Sequence, residues 1–171
     1  DEDIETTFFV QGNQVVRTPE LIQQMTEAGH EIENHSYAHP DLVKLHRPEL
    51  IRKQIDDTQA ALAAHGVQAK FLRPPYGSID ETVKKTANMP LILWNVDAQE
   101  WRPGMTPQAM ADSIVSQTRP GSIILMHDTR QISADALPFV ITQLKARGFR
   151  FMTVAELLNI DGSARGVFAS R

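Results

Sequence analysis

Short apolar runs alternate with amphipathic stretches along the whole chain. Apolar, β-rich runs fall at 6–11, 31–35, 69–73, 91–96, 122–126 and 149–152, each of a length suited to a buried strand. Between them apolar side chains recur at helical spacing. Thr18-Pro19-Glu20 opens one helix with a capping residue and an N1 proline, Leu21, Ile22 and Met25 form its apolar face, and Gly29 closes it. Pro48 opens the next, with Leu50, Ile51, Ile55, Thr58 and Leu62 on one side and Gly66 at the end. Ser78-Ile79-Asp80-Glu81 and Thr153-Val154-Ala155-Glu156 carry the capping-box pattern. Thr106-Pro107 opens a helix bearing Met110 and Ile114, and another bears Leu137, Val140, Ile141 and Leu144 and stops at Gly148.

Repeated strand–helix units predict an α/β fold of parallel strands with helices packed outside. The options are an open doubly wound sheet or a (β/α) barrel, and in both the chemistry gathers at the carboxyl ends of the strands. Residues 1–160 read as one domain, and 161–171, rich in Gly, Ser and Arg, as a frayed C-terminal tail.

A chain of 171 residues supports a single domain with a real core. Net charge is −4 with no dense basic block, which argues against nucleic acid or an anionic membrane as partner. No apolar run approaches the roughly 20 residues of a membrane helix. The absence of cysteine excludes disulfides, a thiol nucleophile and thiolate metal sites. The opening Asp1-Glu2-Asp3 is acidic where a signal peptide is basic. A buried strand follows at once, which predicts that an upstream segment is missing.

Polar clusters follow the apolar runs in turn: His35-Ser36-Tyr37-Ala38-His39-Pro40, Arg73-Pro74-Pro75-Tyr76-Gly77, Asp97-Ala98-Gln99-Glu100-Trp101 and His127-Asp128. His35 and His39, four apart, can converge on one divalent ion, although two surface-loop histidines have the same spacing. The double-proline turn can aim Arg73 at a carboxylate and a backbone N–H at an oxyanion, or be a rigid βα turn with a structural arginine. Asp97 or Glu100 can hold a histidine, with Trp101 as an apolar wall; the alternative is a solvated loop with a core Trp. His127, where an apolar strand emerges near an acid, suits a general acid, or is a satisfied strand-end histidine.

The order of these clusters resembles the polysaccharide deacetylase family, the NodB-homology domain of carbohydrate esterase family 4. Thr7-Phe8-Phe9-Val10 with Gly12, and Gly29-His30-Glu31-Ile32, add to the resemblance, which runs from about Ile4 to Leu158. It implies a distorted (β/α) barrel, the first strand being absent from this chain. It also implies His35 and His39 as zinc ligands, with cobalt or nickel as alternative ions. Arg73 would orient the catalytic base, and the Tyr76 N–H would stabilise the oxyanion. Leu125 and Trp101 would flank the acetyl pocket, with Pro75 also on the substrate side, and His127 would be the general acid. The family places Asp before the motif Trp as partner of that histidine; here Glu100 stands there, with Asp97 as fallback.

The family's Thr-Phe-Asp-Asp-Gly motif, source of the base and third ligand, has no counterpart here. Asp1 and Asp3 lie too close to Phe8 to replace it. A fragment completed by an N-terminal segment, and unable to bind zinc tightly or deacetylate alone, is one expectation. The implied activity is metal-dependent deacetylation of an N-acetylglucosamine polymer, peptidoglycan or chitin-like, outside the cytoplasm as a secreted or envelope protein. An O-acetyl xylan esterase and a non-catalytic carbohydrate-binding relative are the alternatives.

Overall fold

The computed structural model describes residues 4–171, so Asp1 and Asp3 lie outside the described residues. The strands are β1 (Thr7–Val10), β2 (Glu31–Asn34), β3 (Leu91–Ile92), β4 (Val96–Asp97), β5 (Ile124–Leu125) and β6 (Val167–Phe168). The helices are α1 (Gly12–Arg17), α2 (Pro19–Glu27), α3 (Pro48–Ala63), α4 (Glu81–Ala87), α5 (Pro107–Gln117), α6 (Gln131–Ala146) and α7 (Val154–Leu158). Among the described residues no helix is long and apolar enough to cross a membrane. The chain divides into two compact units: residues up to Leu93 with Met152–Phe168, and Trp94–Phe151 with Ala169–Arg171.

Among the described residues of the first unit the strand pairing is parallel. β1 pairs with β2, Thr7 opposite Glu31 through Val10 opposite Asn34. Leu72 bridges Asn34 on one side and Leu91 on the other, and β3 pairs with β6. The run at 69–73 therefore contributes one bridging residue where a strand is predicted. The cause is a side chain: Oε2 of the buried Glu33 accepts from Lys70 N and Phe71 N at 2.7 Å each, taking donors a regular ladder would use. The core here is Leu42, Ile51, Ile55, Leu72, Val83 and Leu91, with a second cluster of Val15, Ile22, Ile32, Leu62 and Ala69. Of the predicted inner face of α3, Ile51, Ile55, Thr58 and Leu62 are buried and Leu50 is half-buried.

The second unit pairs β4 with β5 in parallel, Val96 opposite Ile124 and Asp97 opposite Leu125. α5 and α6 cover Val96 and Ala98 with Met110, Ile114, Val140 and Leu144. Of the apolar residues read at helical spacing along α6, Val140, Ile141 and Leu144 are buried, whereas Leu137 is exposed beside Pro138. The run at 149–152 forms no strand; Phe149 and Phe151 pack against this core instead.

Other departures have local causes. The run at 91–96 breaks into β3 and β4, with 93–95 outside both strands. α4 is capped by Asp80, whose carboxylate accepts from Val83 N at 2.7 Å, so the box predicted at Ser78 does not form. The box at Thr153 and Glu156 does form. Residues 161–171 are not frayed: Leu91 N donates to Gly166 O, Leu93 N to Phe168 O and Arg171 N to Gly121 O. Val167-Phe168 is a two-residue apolar signal inside a Gly, Ser and Arg background, too short to register as a strand.

α1 leaves little mark in the sequence, being six residues long with a single buried apolar side chain, Val15. Its first residue has to be glycine. A Cβ at Gly12 would lie 2.5 Å from Tyr37 Cδ2, 2.8 Å from Thr58 Oγ1 and 3.0 Å from Thr58 Cα. Gly12→Ala is expected to destabilise the protein by about 1–3 kcal/mol through this overpacking. Urea unfolding checks it, and an unchanged midpoint would mean that α1 and α3 separate without penalty.

Candidate active site

The predicted site residues fall into two groups, one in each unit. In the first, β2 ends at Asn34 and delivers His35 into a loop whose sharp return is made by left-handed residues: Ser36 has φ 63° and His39 φ 58°. The rings of His35 and His39 meet edge to face at 4.8 Å. Nδ1 of His35 lies 2.6 Å from the Arg73 carbonyl oxygen. A carbonyl only accepts, so Nδ1 carries the proton and Nε2 keeps the lone pair.

Arg73 follows the bridging Leu72 and is buried, its Cζ 4.0 Å from the centroid of the Phe9 ring. Its Nε and Nη2 reach the carbonyls of Ile92 and Leu93 at 3.4 and 3.5 Å. Burial lowers the guanidinium to about 10, which leaves it cationic at neutral pH. Pro74 is extended, Pro75 is buried, and Tyr76 at φ 60° with Gly77 at φ 66° turns the chain back. Tyr76 is 68% exposed, and its ring stands edge to face with His39 at 4.8 Å.

In the second unit the buried Glu100 carboxylate organises the group. Its Oε1 accepts from His127 N at 2.8 Å and from His127 Nδ1 at 2.5 Å, with Ser133 Oγ at 3.5 Å. Among the described residues Oε2 meets no donor. Of the two acids near Trp101, Glu100 is the one that holds His127. Asp97 accepts from its own turn, Gln99 N at 2.9 Å, and Gln99 is left-handed at φ 53°. Leu125 is buried at the end of β5, whereas Trp101 is 62% exposed and so is not a core Trp.

Burial would raise the Glu100 carboxyl, but the hydrogen bonds from His127 and its charge outweigh this and hold it below the ordinary 4.5. A depressed carboxyl stabilises the fold above its unfolded value, and that contribution fades as pH falls through the folded value. The stability advantage of the protein over Glu100→Gln is therefore expected to be full near neutrality and to shrink on acidification below 4.5. Urea midpoints across that range measure it; an advantage that persists in acid would contradict the pairing.

Among the described residues seven non-glycine residues have positive φ. His46, Asn88 and Asn159 end helical turns, where the left-handed conformation is routine. The other four, Ser36, His39, Tyr76 and Gln99, all lie in the loops of candidate residues. Such backbone is retained where surroundings over-determine it, commonly at functional sites.

Two imidazoles in contact, one with its tautomer fixed by a carbonyl, are of the type that binds zinc or cobalt. Catalytic zinc sites generally take three protein ligands. Among the described residues no third His, Asp, Glu or Cys completes a cluster with these two. Sequence reasoning missed Phe9 beneath Arg73, as well as Asn34 and Gln54, which bond to the histidine loop. For Gln54 the available signal was a polar residue beside the inner Ile51–Ile55 edge of α3.

Residues 1–90 match the family model for polysaccharide deacetylase. A peptidoglycan-N-acetylglucosamine deacetylase of Bacillus cereus is 36% identical over 163 residues, covering 91% of this chain and 58% of that protein. A chitooligosaccharide deacetylase of Bradyrhizobium is 32% identical, covering 90% of this chain and 78% of that protein. The solved family 4 acetyl xylan esterase of Clostridium thermocellum, in complex with a cobalt ion, shares the α/β fold with a TM-score of 0.90. Its identity is 31%, over 99% of this chain and 86% of that one. The chain spans 33% to 58% of the length of the peptidoglycan-N-acetylglucosamine deacetylases that it matches. With its ordered polar clusters, its α/β fold and a family match over more than half its length, the chain belongs to the polysaccharide deacetylase family.

Proposed function

We propose that the protein is a metal-dependent hydrolase that removes N-acetyl groups from an N-acetylglucosamine polymer, with peptidoglycan ahead of chitin-like chains. The observation that carries this reading is the paired rings of His35 and His39, with Nδ1 of His35 held by the Arg73 carbonyl. His35 and His39 would hold zinc or a similar ion such as cobalt. When bound, that ion supplies Lewis acidity to the acetyl carbonyl and lowers the pKa of water.

Arg73, buried and cationic, would orient the carboxylate base of the family's Thr-Phe-Asp-Asp-Gly motif, a motif that residues 1–171 do not contain. The other roles fall to the chain's own groups. The N–H of Tyr76, turned by its left-handed backbone, donates to the oxyanion as the acetyl carbon becomes tetrahedral. Pro75, Trp101 and Leu125 supply apolar surface to the substrate. His127, oriented through Nδ1 by Glu100, gives its proton to the departing nitrogen. Water is consumed, the C–N bond breaks, and acetate and the sugar amine leave. A polymer of this kind lies outside the cytoplasm, so the protein acts as a secreted or envelope enzyme on an acetylated polysaccharide or oligosaccharide.

An O-acetyl esterase is the second reading, favoured by the match to the acetyl xylan esterase structure. The test is acetate release by the intact protein from peptidoglycan, chitooligosaccharides and acetylated xylan. Release from the two N-acetylated substrates supports the main reading; release from xylan alone replaces it with the second.

A further inference from the structure

The loop bearing His35 and His39 has its backbone donors distributed over β1, β2, α3 and its own Ser36. His35 N donates to Val10 O at the end of β1, Ser36 N to Asn34 Oδ1, and His39 N to Ser36 Oγ. The two donors in the middle, Tyr37 N and Ala38 N, go to one atom: Oε1 of Gln54 on α3, at 3.1 and 2.9 Å. On the carbonyl side, Gly12 N donates to Ser36 O and Asn13 N to Tyr37 O, both from the first turn of α1. The turn is thus gripped between α1 and a single side chain of α3.

This grip has something to hold against. Ser36 and His39 are left-handed without being glycine, a conformation that relaxes unless its surroundings fix it. The chemistry required at position 54 is specific. Both partners are N–H donors, so only an acceptor oxygen serves, and the amide is oriented with its oxygen toward the loop for that reason.

We propose that Gln54 is a positioning residue for the metal: its side-chain oxygen holds the Tyr37–Ala38 turn so that the two imidazoles stay converged, and it sets metal affinity without touching the ion. This rests on the reading of His35 and His39 as ligands. Outer-shell groups that orient ligands typically govern affinity by 10–100-fold. Gln54→Leu keeps helix propensity and bulk but removes the acceptor, whereas Gln54→Glu keeps an acceptor oxygen at the same reach.

The experiment is titration of the intact protein and both variants with cobalt(II), read by its d–d absorption, beside amide hydrogen exchange and urea midpoints of the metal-free forms. Gln54→Leu is expected to bind cobalt about 10–100-fold more weakly and Gln54→Glu to stay within about 3-fold of the unaltered protein. In the metal-free state Tyr37 and Ala38 amides are expected to exchange faster in the Leu variant alone, with urea midpoints alike. Undiminished affinity in Gln54→Leu, or equal loss in both variants, overturns the proposal. A loss that tracks a lowered urea midpoint overturns it in favour of a purely structural role. An unaltered protein that takes no cobalt overturns the ligand reading itself; it is told apart because the unaltered arm, not the variants, then fails.

Discussion

Replacing His127 with alanine is expected to lower acetate release from an N-acetyl substrate by ~10²-fold or more while leaving the metal content unchanged. An amine is a poor leaving group until it is protonated, so a proton donor at the departing nitrogen is most needed for amide cleavage. The imidazole is suited to that task. Nδ1 is held 2.5 Å from Glu100 Oε1, the backbone N–H of the same residue anchors the same oxygen, and the ring is half exposed. As the acid, the imidazolium would give up the proton on Nε2 and keep the one on Nδ1 for Glu100. An aryl acetate, whose leaving group departs without a proton, is expected to suffer a milder loss. Equal loss on both substrates would contradict the acid role, and loss of metal with activity would make His127 a ligand.

Removing His35 has the second large effect. His35→Ala is expected to weaken zinc or cobalt binding by more than ~100-fold, beyond the loss typical of an outer-shell change, and to abolish acetate release with it. Its ring is held from two sides, by His39 at 4.8 Å and by the Arg73 carbonyl at 2.6 Å, so its position is fixed before any ion arrives. The side chain lies in a loop beyond β2 and outside the apolar clusters of the first unit, so the urea midpoint is expected to change little. Unchanged metal stoichiometry in His35→Ala would remove the histidine pair from the metal and leave it as ring packing against Tyr76.

The polar clusters after each apolar run were legible because motif order is a local property of the chain. So was the inner face of α3, whose Ile51, Ile55, Thr58 and Leu62 follow a helical period. What escaped was set by side chains acting across the fold. Glu33 takes the amides of Lys70 and Phe71 and leaves Leu72 as a lone bridge. Gln54 reaches back 16 and 17 residues to the histidine loop, and no local pattern marks such a reach. The choice between Glu100 and Asp97 was likewise three-dimensional: both stand near Trp101 in sequence, but Gln99 N occupies Asp97 and His127 occupies Glu100. Two-residue strands such as β6 fall below what alternation can reveal; their pairing comes from neighbours distant in sequence.

Acetate release is proposed to depend on an ion held by His35 and His39. The most direct measurement is acetate release from N-acetylglucosamine oligomers by the intact protein after chelator treatment and dialysis, then after stoichiometric zinc or cobalt is restored. Activity is expected to vanish with the ion, to return with it, and to fail to return in His35→Ala. Full turnover by the metal-free protein, or restoration in the His35→Ala variant equal to that of the unaltered protein, would contradict it.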